Sequence, residues 1–228
     1  VSSLFNLECV KEYSPAFRQS IKNDINHNAI AAWLRSGAIL SEKVECKNYD
    51  KNNLLSNLEG IRELTREEDP KVFFPKLKET LANCGVALVV IPHFKKTHTT
   101  GATFWVRKNK AVIMMSLRGS WADIFWFSFF HELGHILLHN KRVTFLENNS
   151  FYPEWKKQED EADDFSQRTL IPHKKFITFK KEGVFNGSSI SSFAKEINIA
   201  EGIITGRLQH EKVLPYTSNV GRIRYKWK

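Results

Sequence analysis

From Trp121 to His139 the chain reads WADIFWFSFFHELGHILLH. Nearly every side chain in this segment is apolar, so as a helix it has no face for water and must be the central, buried helix of the fold. Its longest apolar stretch, Ile124 to Leu138, is broken by His131, Glu132 and His135. It is too short and too polar to span a bilayer. Ser120 and Asp123 in SWAD resemble a capping box at its start, with Asp in the place usually held by Glu. Leaving its two histidines and glutamate buried without partners would cost about 2–7 kcal/mol for each group. The fold must therefore bring something to them.

Histidines four residues apart lie on one helix face, one turn from each other. The imidazoles of His131 and His135 can thus meet one ion. Glu132 directly follows the first of them, and beside a zinc ion that acidifies water it is placed to take the proton. Gly134 leaves room for close packing. The competing reading is a chance HExxH in an ordinary core helix; the buried context favours the metal. A catalytic zinc needs a third protein ligand, and the next acidic cluster is QEDEADDFSQRTLIP, Gln158 to Pro172. As a helix it turns Ala162, Phe165, Ser166, Thr169 and Leu170 inwards. At about 100° per residue, Glu159 lies nearer the centre of that stripe than Glu161, the alternate ligand. Asp163, one turn after Glu159, is placed to orient a liganding histidine. The bland alternative is a solvated acidic face. His139, one turn past His135, is expected at the rim of the site in a structural role. Tyr152 and His210 are candidate donors to the oxyanion of an attacked carbonyl. His93, His98 and His173 have no identifiable partner.

The rest of the chain frames this helix. AIAAWLRSGAIL around Trp33 and NLLSNLEGIRELT around Leu58 have helical periodicity, with Gly37 expected to end the first. Pro70 and Pro75 punctuate the next stretch, and VFFPKLKETLANCG reads as a helix closed by Gly85. GVALVVIPH, Gly85 to His93, is a buried-strand pattern. Ala102 to Leu117 reads as two strands joined at Lys108-Asn109-Lys110. Within them, AVIMMSL is the expected edge for an extended substrate.

HELGHILLH followed by EDEADDFSQRTLIP resembles the ImmA/IrrE family of zinc metallopeptidases. That pattern has HELGH, a glutamate three residues before an Ala-Asn or Ala-Asp pair, then Phe and a Leu-Leu-x-Pro-like ending. Here these are Glu159, Ala162-Asp163 and Thr169-Leu170-Ile171-Pro172, with Asp163 for the commoner Asn and Thr169 for a Leu. The resemblance implies His131, His135 and Glu159 as zinc ligands and Glu132 as general base. VSSL, AFRQS, AAWLRSG, LRGSWADIFWFSFFHELGH and GRLQH resemble a branch in which a helix-turn-helix, HigA-like antitoxin or repressor domain precedes the peptidase. This implies a DNA-binding domain ahead of Val1 that is absent from this sequence; Val1 in place of Met fits a fragment or a processed chain. Family members commonly cleave a repressor or antitoxin and so switch on a stress, prophage or defence operon.

The expected fold is α+β: mostly helical, with a sheet of about three strands packed on the buried HExxH helix as a minimal zincin-like core. The expected regions are a helical 1–80, a metallopeptidase core 81–183 and a basic 184–228. The chain carries a formal charge of +9, and residues 173–228 hold eleven Lys or Arg against four Asp or Glu, so +7 lies there. SISSFAKEINIAEGIITGRLQ, Ser189 to Gln209, has the core spacing of a helix-turn-helix with Asn198 at the turn, but its second helix is not basic and two plainly packed helices are the preferred reading. VGRIRYKWK suits an edge strand or a nucleic-acid contact. The alternative to a peptidase is therefore a DNA-binding regulator or antitoxin whose metal domain senses or dimerises without cutting. The expected partners are a repressor or antitoxin substrate and DNA, with a homodimer left open and no membrane. Three widely spaced cysteines and no visible signal peptide point to a cytoplasmic chain.

Overall fold

The computed structural model describes residues 27–92, 94, 97, 100–116, 120–139 and 153–226. Among them, helices surround a three-stranded sheet. In chain order these are α1 (His27–Glu42), α2 (Lys51–Ser56), α3 (Leu58–Glu63), α4 (Pro70–Asn83), β1 (Val86–Val90), β2 (Gly101–Arg107), β3 (Lys110–Met115), α5 (Ala122–Leu138), α6 (Pro153–Leu170), α7 (His173–Glu182), α8 (Gly187–Ile197) and α9 (Glu201–His210). The α+β expectation holds.

Strand alternation decides what the sheet packs against. Val86, Leu88, Ala111, Ile113 and Met115 join the core built around α5. Ala87, Val89, Val112, Met114, Ala102 and Phe104 face the other way, onto Trp33 and Ile30 of α1. The same period of two turns Gly101 and Thr103 of β2 towards α5. β3 runs parallel to β1 and antiparallel to β2, so the order is β1-β3-β2. The expectation that AVIMMSL offers an edge is thereby corrected: it is the central strand, with both sides paired. The edges are β1 and β2.

Two further expectations are corrected. Gly37 does not end α1, which runs through it to Glu42. A Cβ there would collide with the Met114 side chain, so this glycine lets helix and sheet approach closely. Nor do Ser120 and Asp123 cap α5. The N-cap is Trp121, without a side-chain bond. The segment after α9 closes the helix start instead: Ala122 N donates to Ile223 O at 3.1 Å and Tyr225 N to Ser120 O at 2.7 Å. Asp123 takes the Arg222 guanidinium at 2.9 Å, with both side chains under a tenth exposed. By contrast Asp69 and Pro70 begin α4 as cap and first residue, and Gly85, at φ +82°, follows that helix where a Cβ would strike the Tyr49 backbone.

The main core draws on all three regions, with Leu54, Ile61 and Phe73, then Trp126, Phe129 and Phe130, then Ile190, Ile204 and Tyr225. Buried Arg62 joins them through polar groups: its guanidinium donates to the carbonyls of Leu170 at 3.0 Å and of Ile197, which end α6 and α8. Carbonyls at helix ends lack intrahelical donors, and Arg62 supplies them. Two arginines of the basic tail are engaged within the chain. Arg222 and Arg224 each lie 4.3 Å from the Trp121 ring centroid, and Trp126 Nε1 donates to Tyr225 Oη at 2.7 Å.

Arg222→Ala leaves the Asp123 carboxylate buried without its cation. Because burial already pushes the Asp123 carboxyl up against the pull of Arg222, protonation will relieve part of the loss. The expected cost is about 3–5 kcal/mol, towards the lower figure, read as a shifted urea-unfolding midpoint. A change within about 0.5 kcal/mol, as at an ordinary surface position, would show that this pair does not hold the tail on α5.

Candidate metal centre

His131, Glu132 and His135 are at most 4% exposed. α6 lies across them because residue 134 is glycine: a Cβ there would sit 3.0 Å from the Phe165 ring and 3.3 Å from the Ala162 Cα. This close crossing brings the acidic face of α6 over the histidines. Nε2 of His131 and Nε2 of His135 are 3.0 Å apart. Glu159 presents one carboxylate oxygen to each, Oε2 at 3.2 Å from His131 Nε2 and Oε1 at 3.3 Å from His135 Nε2. A tetrahedral ion with ligands at about 2.0–2.1 Å has ligand-to-ligand edges of about 3.3 Å. Two imidazoles and one carboxylate at these separations fit such an ion, and the three residues form a group able to hold one. Glu161 is not part of it; its carboxylate lies 3.2 Å from His139 Nε2.

The outer nitrogens are also engaged. His131 Nδ1 is 2.8 Å from Asp163 Oδ1, the position expected for Asp163. His135 Nδ1 is 2.9 Å from His139 Nδ1. With Nε2 of His135 turned to the ligand group, its proton sits on Nδ1 and is donated to His139 Nδ1. The His139 proton then sits on Nε2 and is donated to Glu161. Such bonds fix the tautomer and aim the inner nitrogen. His139 thus does more than line the rim, and its spacing from His135 was the available signal.

Glu132 is held from the sheet. Thr103 Oγ1 lies 2.8 Å from Glu132 Oε2 and 3.1 Å from its carbonyl oxygen. A Cβ on Gly101 would come within 2.7 Å of Glu132 Oε1. Neither Thr103 nor Gly101 carries a sequence motif; only the register of β2 on α5 selects them. His210 is exposed and lines a cavity that also touches Asp163. His173 is exposed. Tyr152, His93 and His98 lie outside the described residues.

The charges follow from this packing. Burial alone would drive the His131 pKa down, but hydrogen bonds to Asp163 and Glu159 and the charge of Glu132 raise it to about 9. Burial raises Glu159, yet hydrogen bonds from both histidines take it down to about 2. His135 is lowered by burial and by the neighbouring charge of His131. His139 is lowered by burial and by His135. Without metal the centre is therefore an ion pair of His131 with Glu159 and Asp163.

Residues 86–198 match the family model of peptidase M78, the IrrE N-terminal-like domain. These residues belong to the ImmA/IrrE family. The match spans the sheet, the HExxH helix, α6 and the helices to α8; α9 and the tail follow it. No curated protein matches the chain significantly. Membership agrees with a metallopeptidase-type centre of two histidines and a glutamate. No described helix is long and apolar enough to cross a membrane.

The raised His131 pKa stabilises the metal-free protein fully at acidic pH below the ordinary imidazole value, and that contribution is lost as pH rises through about 9. The depressed Glu159 pKa contributes above the ordinary carboxylate value and is lost as pH falls towards about 2. A metal requires neutral His131, so binding at pH 7.5 should release about one proton per ion. Calorimetry in two buffers of different ionisation heat reads this directly. Identical heats in both would contradict a protonated His131.

Proposed function

We propose that the protein is a zinc-dependent endopeptidase in which Glu132 activates water. It acts in the cytoplasm on a repressor or antitoxin protein, and so controls transcription of a stress, prophage or toxin–antitoxin operon. The observation that carries the peptidase reading is the convergence of His131, His135 and Glu159 with Glu132 fixed beside them by Thr103. Zinc suits this mixed nitrogen and oxygen donor set, and when bound it supplies Lewis acidity and a water of lowered pKa. The regulatory role and substrate class rest on the family resemblance.

The chain's own residues then have separate tasks. Asp163 and His139 aim the imidazoles, and Glu159 closes the ligand set. Glu132 takes a proton from the attacking water and is placed to deliver it to the leaving amine. Thr103 and Gly101 keep its carboxylate in one position. β2, an edge strand packed on α5, offers main-chain groups to an extended substrate in place of the central β3.

A regulator that does not cut has less support. α9, the second helix of the expected helix-turn-helix, buries Ile203, Ile204, Thr205, Leu208 and Gln209, and its Gly206 abuts Asp123 of α5. That packing leaves little of α9 for a DNA groove. Arg222 and Arg224 are stacked on Trp121.

Glu132→Gln should retain metal and lose about 10²–10⁴-fold in cleavage of a co-expressed repressor or antitoxin. Equal cleavage by both proteins would remove Glu132 as the base. Failure of the metal-loaded wild type to cut any candidate repressor, antitoxin or library peptide would overturn the peptidase reading.

A further inference from the structure

Beside the metal centre lies a cavity of about 310 Å³. One wall is α5, with Ile124, Phe127 and Ser128; Ser128 stands one helical turn before His131. Asp163 of α6, which holds His131, is on its boundary. The opposite wall comes from α9 and the segment after it, including His210 and Tyr216. That wall lies wholly beyond the residues matched to the family, 86–198. The C-terminal segment thus adds to the family domain a compartment within one turn of its ligands.

The chemistry of the lining indicates what enters it. Its cations already face carboxylates: Arg222 meets Asp123 at 2.9 Å, and Arg207 meets Glu211 at 2.6 Å. Asp163 is engaged by His131. A charged guest would lose its water and meet charges that are already paired, with only the buried Nη1 of Arg207 left without a partner, which is costly. Apolar surface is on offer: Ile124 is 39% exposed and Tyr216 72% exposed. Rings gain from offset or edge contacts with one another. The volume is at the low end for ligand sites and suits a single large side chain.

From these features we infer that this cavity is a specificity pocket, and that the C-terminal segment makes the enzyme select a large uncharged side chain, aromatic above all, next to the bond it cuts. The inference rests on the peptidase reading and adds its substrate class.

The test has two arms. The first needs no cleavage. Zinc-loaded protein is mixed with the N-acetyl amides of phenylalanine, leucine, glutamate and lysine, and contact is read by saturation-transfer NMR. The phenylalanine amide should give the strongest transfer, leucine less, glutamate and lysine none. Ile124→Trp, which fills the pocket from an exposed position, should abolish the signal, and Tyr216→Ala should weaken it several-fold. Unchanged melting temperature and metal content establish that both variants are folded. No transfer from the phenylalanine amide, equal transfer from the charged amides, or transfer that survives Ile124→Trp overturns the pocket. The second arm digests a peptide library. Cut sites should share Phe, Tyr or Leu at one fixed position, a preference that Ile124→Trp removes. Cutting without that preference overturns the pocket. If nothing is cut while the amides bind as expected, the peptidase reading fails and the binding site for a large uncharged side chain stands.

Discussion

The packing of α6 on α5 governs this structure. α5 carries His131, Glu132 and His135 at buried positions, and buried polar groups are tolerated only when they are hydrogen-bonded or bound to a metal. α6 approaches through the gap at Gly134 and brings Glu159 and Asp163 onto the histidines. The remaining elements keep that crossing in place. The sheet supports Glu132 from below through Thr103, Arg62 ties the end of α6 to the end of α8, and the tail secures the start of α5 through Arg222 and Tyr225.

Much of the centre could be read from spacing alone. The interval between His131 and His135 is a helical turn in any context, and a nearly all-apolar segment must be buried. The same periodicity separated Glu159 from Glu161, because only one lies near the centre of the stripe around Ala162 and Ser166. These features are local and follow from helix geometry. The features that were missed are long-range. Nothing near Asp123 announces that its partner is Arg222, and SWAD satisfies a capping pattern that the tail backbone makes unnecessary. Hydropathy marks β3 as a strand but does not give its neighbours, so its central place is not legible in the sequence. Thr103 gained a role only when β2 was laid on α5. Gly37 looked like a helix end, whereas its purpose is clearance for Met114.

Part of the charge of the basic C-terminal region is used inside the fold. Its excess of cations suggested an acidic partner. In the fold, Arg222 neutralises a buried aspartate, two arginines stack on one tryptophan, and Arg207 and Lys180 share Glu211. The segment also lines the cavity that reaches Asp163 beside the metal centre. It thereby connects residues beyond the matched family domain to the chemistry of that domain.

If α5 and α6 together form one three-ligand metal site with Glu159, and not Glu161, as the third ligand, metal content must follow Glu159. Metal analysis of the purified wild type beside Glu159→Ala and Glu161→Ala, each supplied with zinc, tests it most directly. About one ion per chain, as three protein ligands around one ion require, is expected in the wild type and in Glu161→Ala, and little in Glu159→Ala. Metal lost with Glu161→Ala but retained in Glu159→Ala, or absent from the wild type after zinc is supplied, would contradict it.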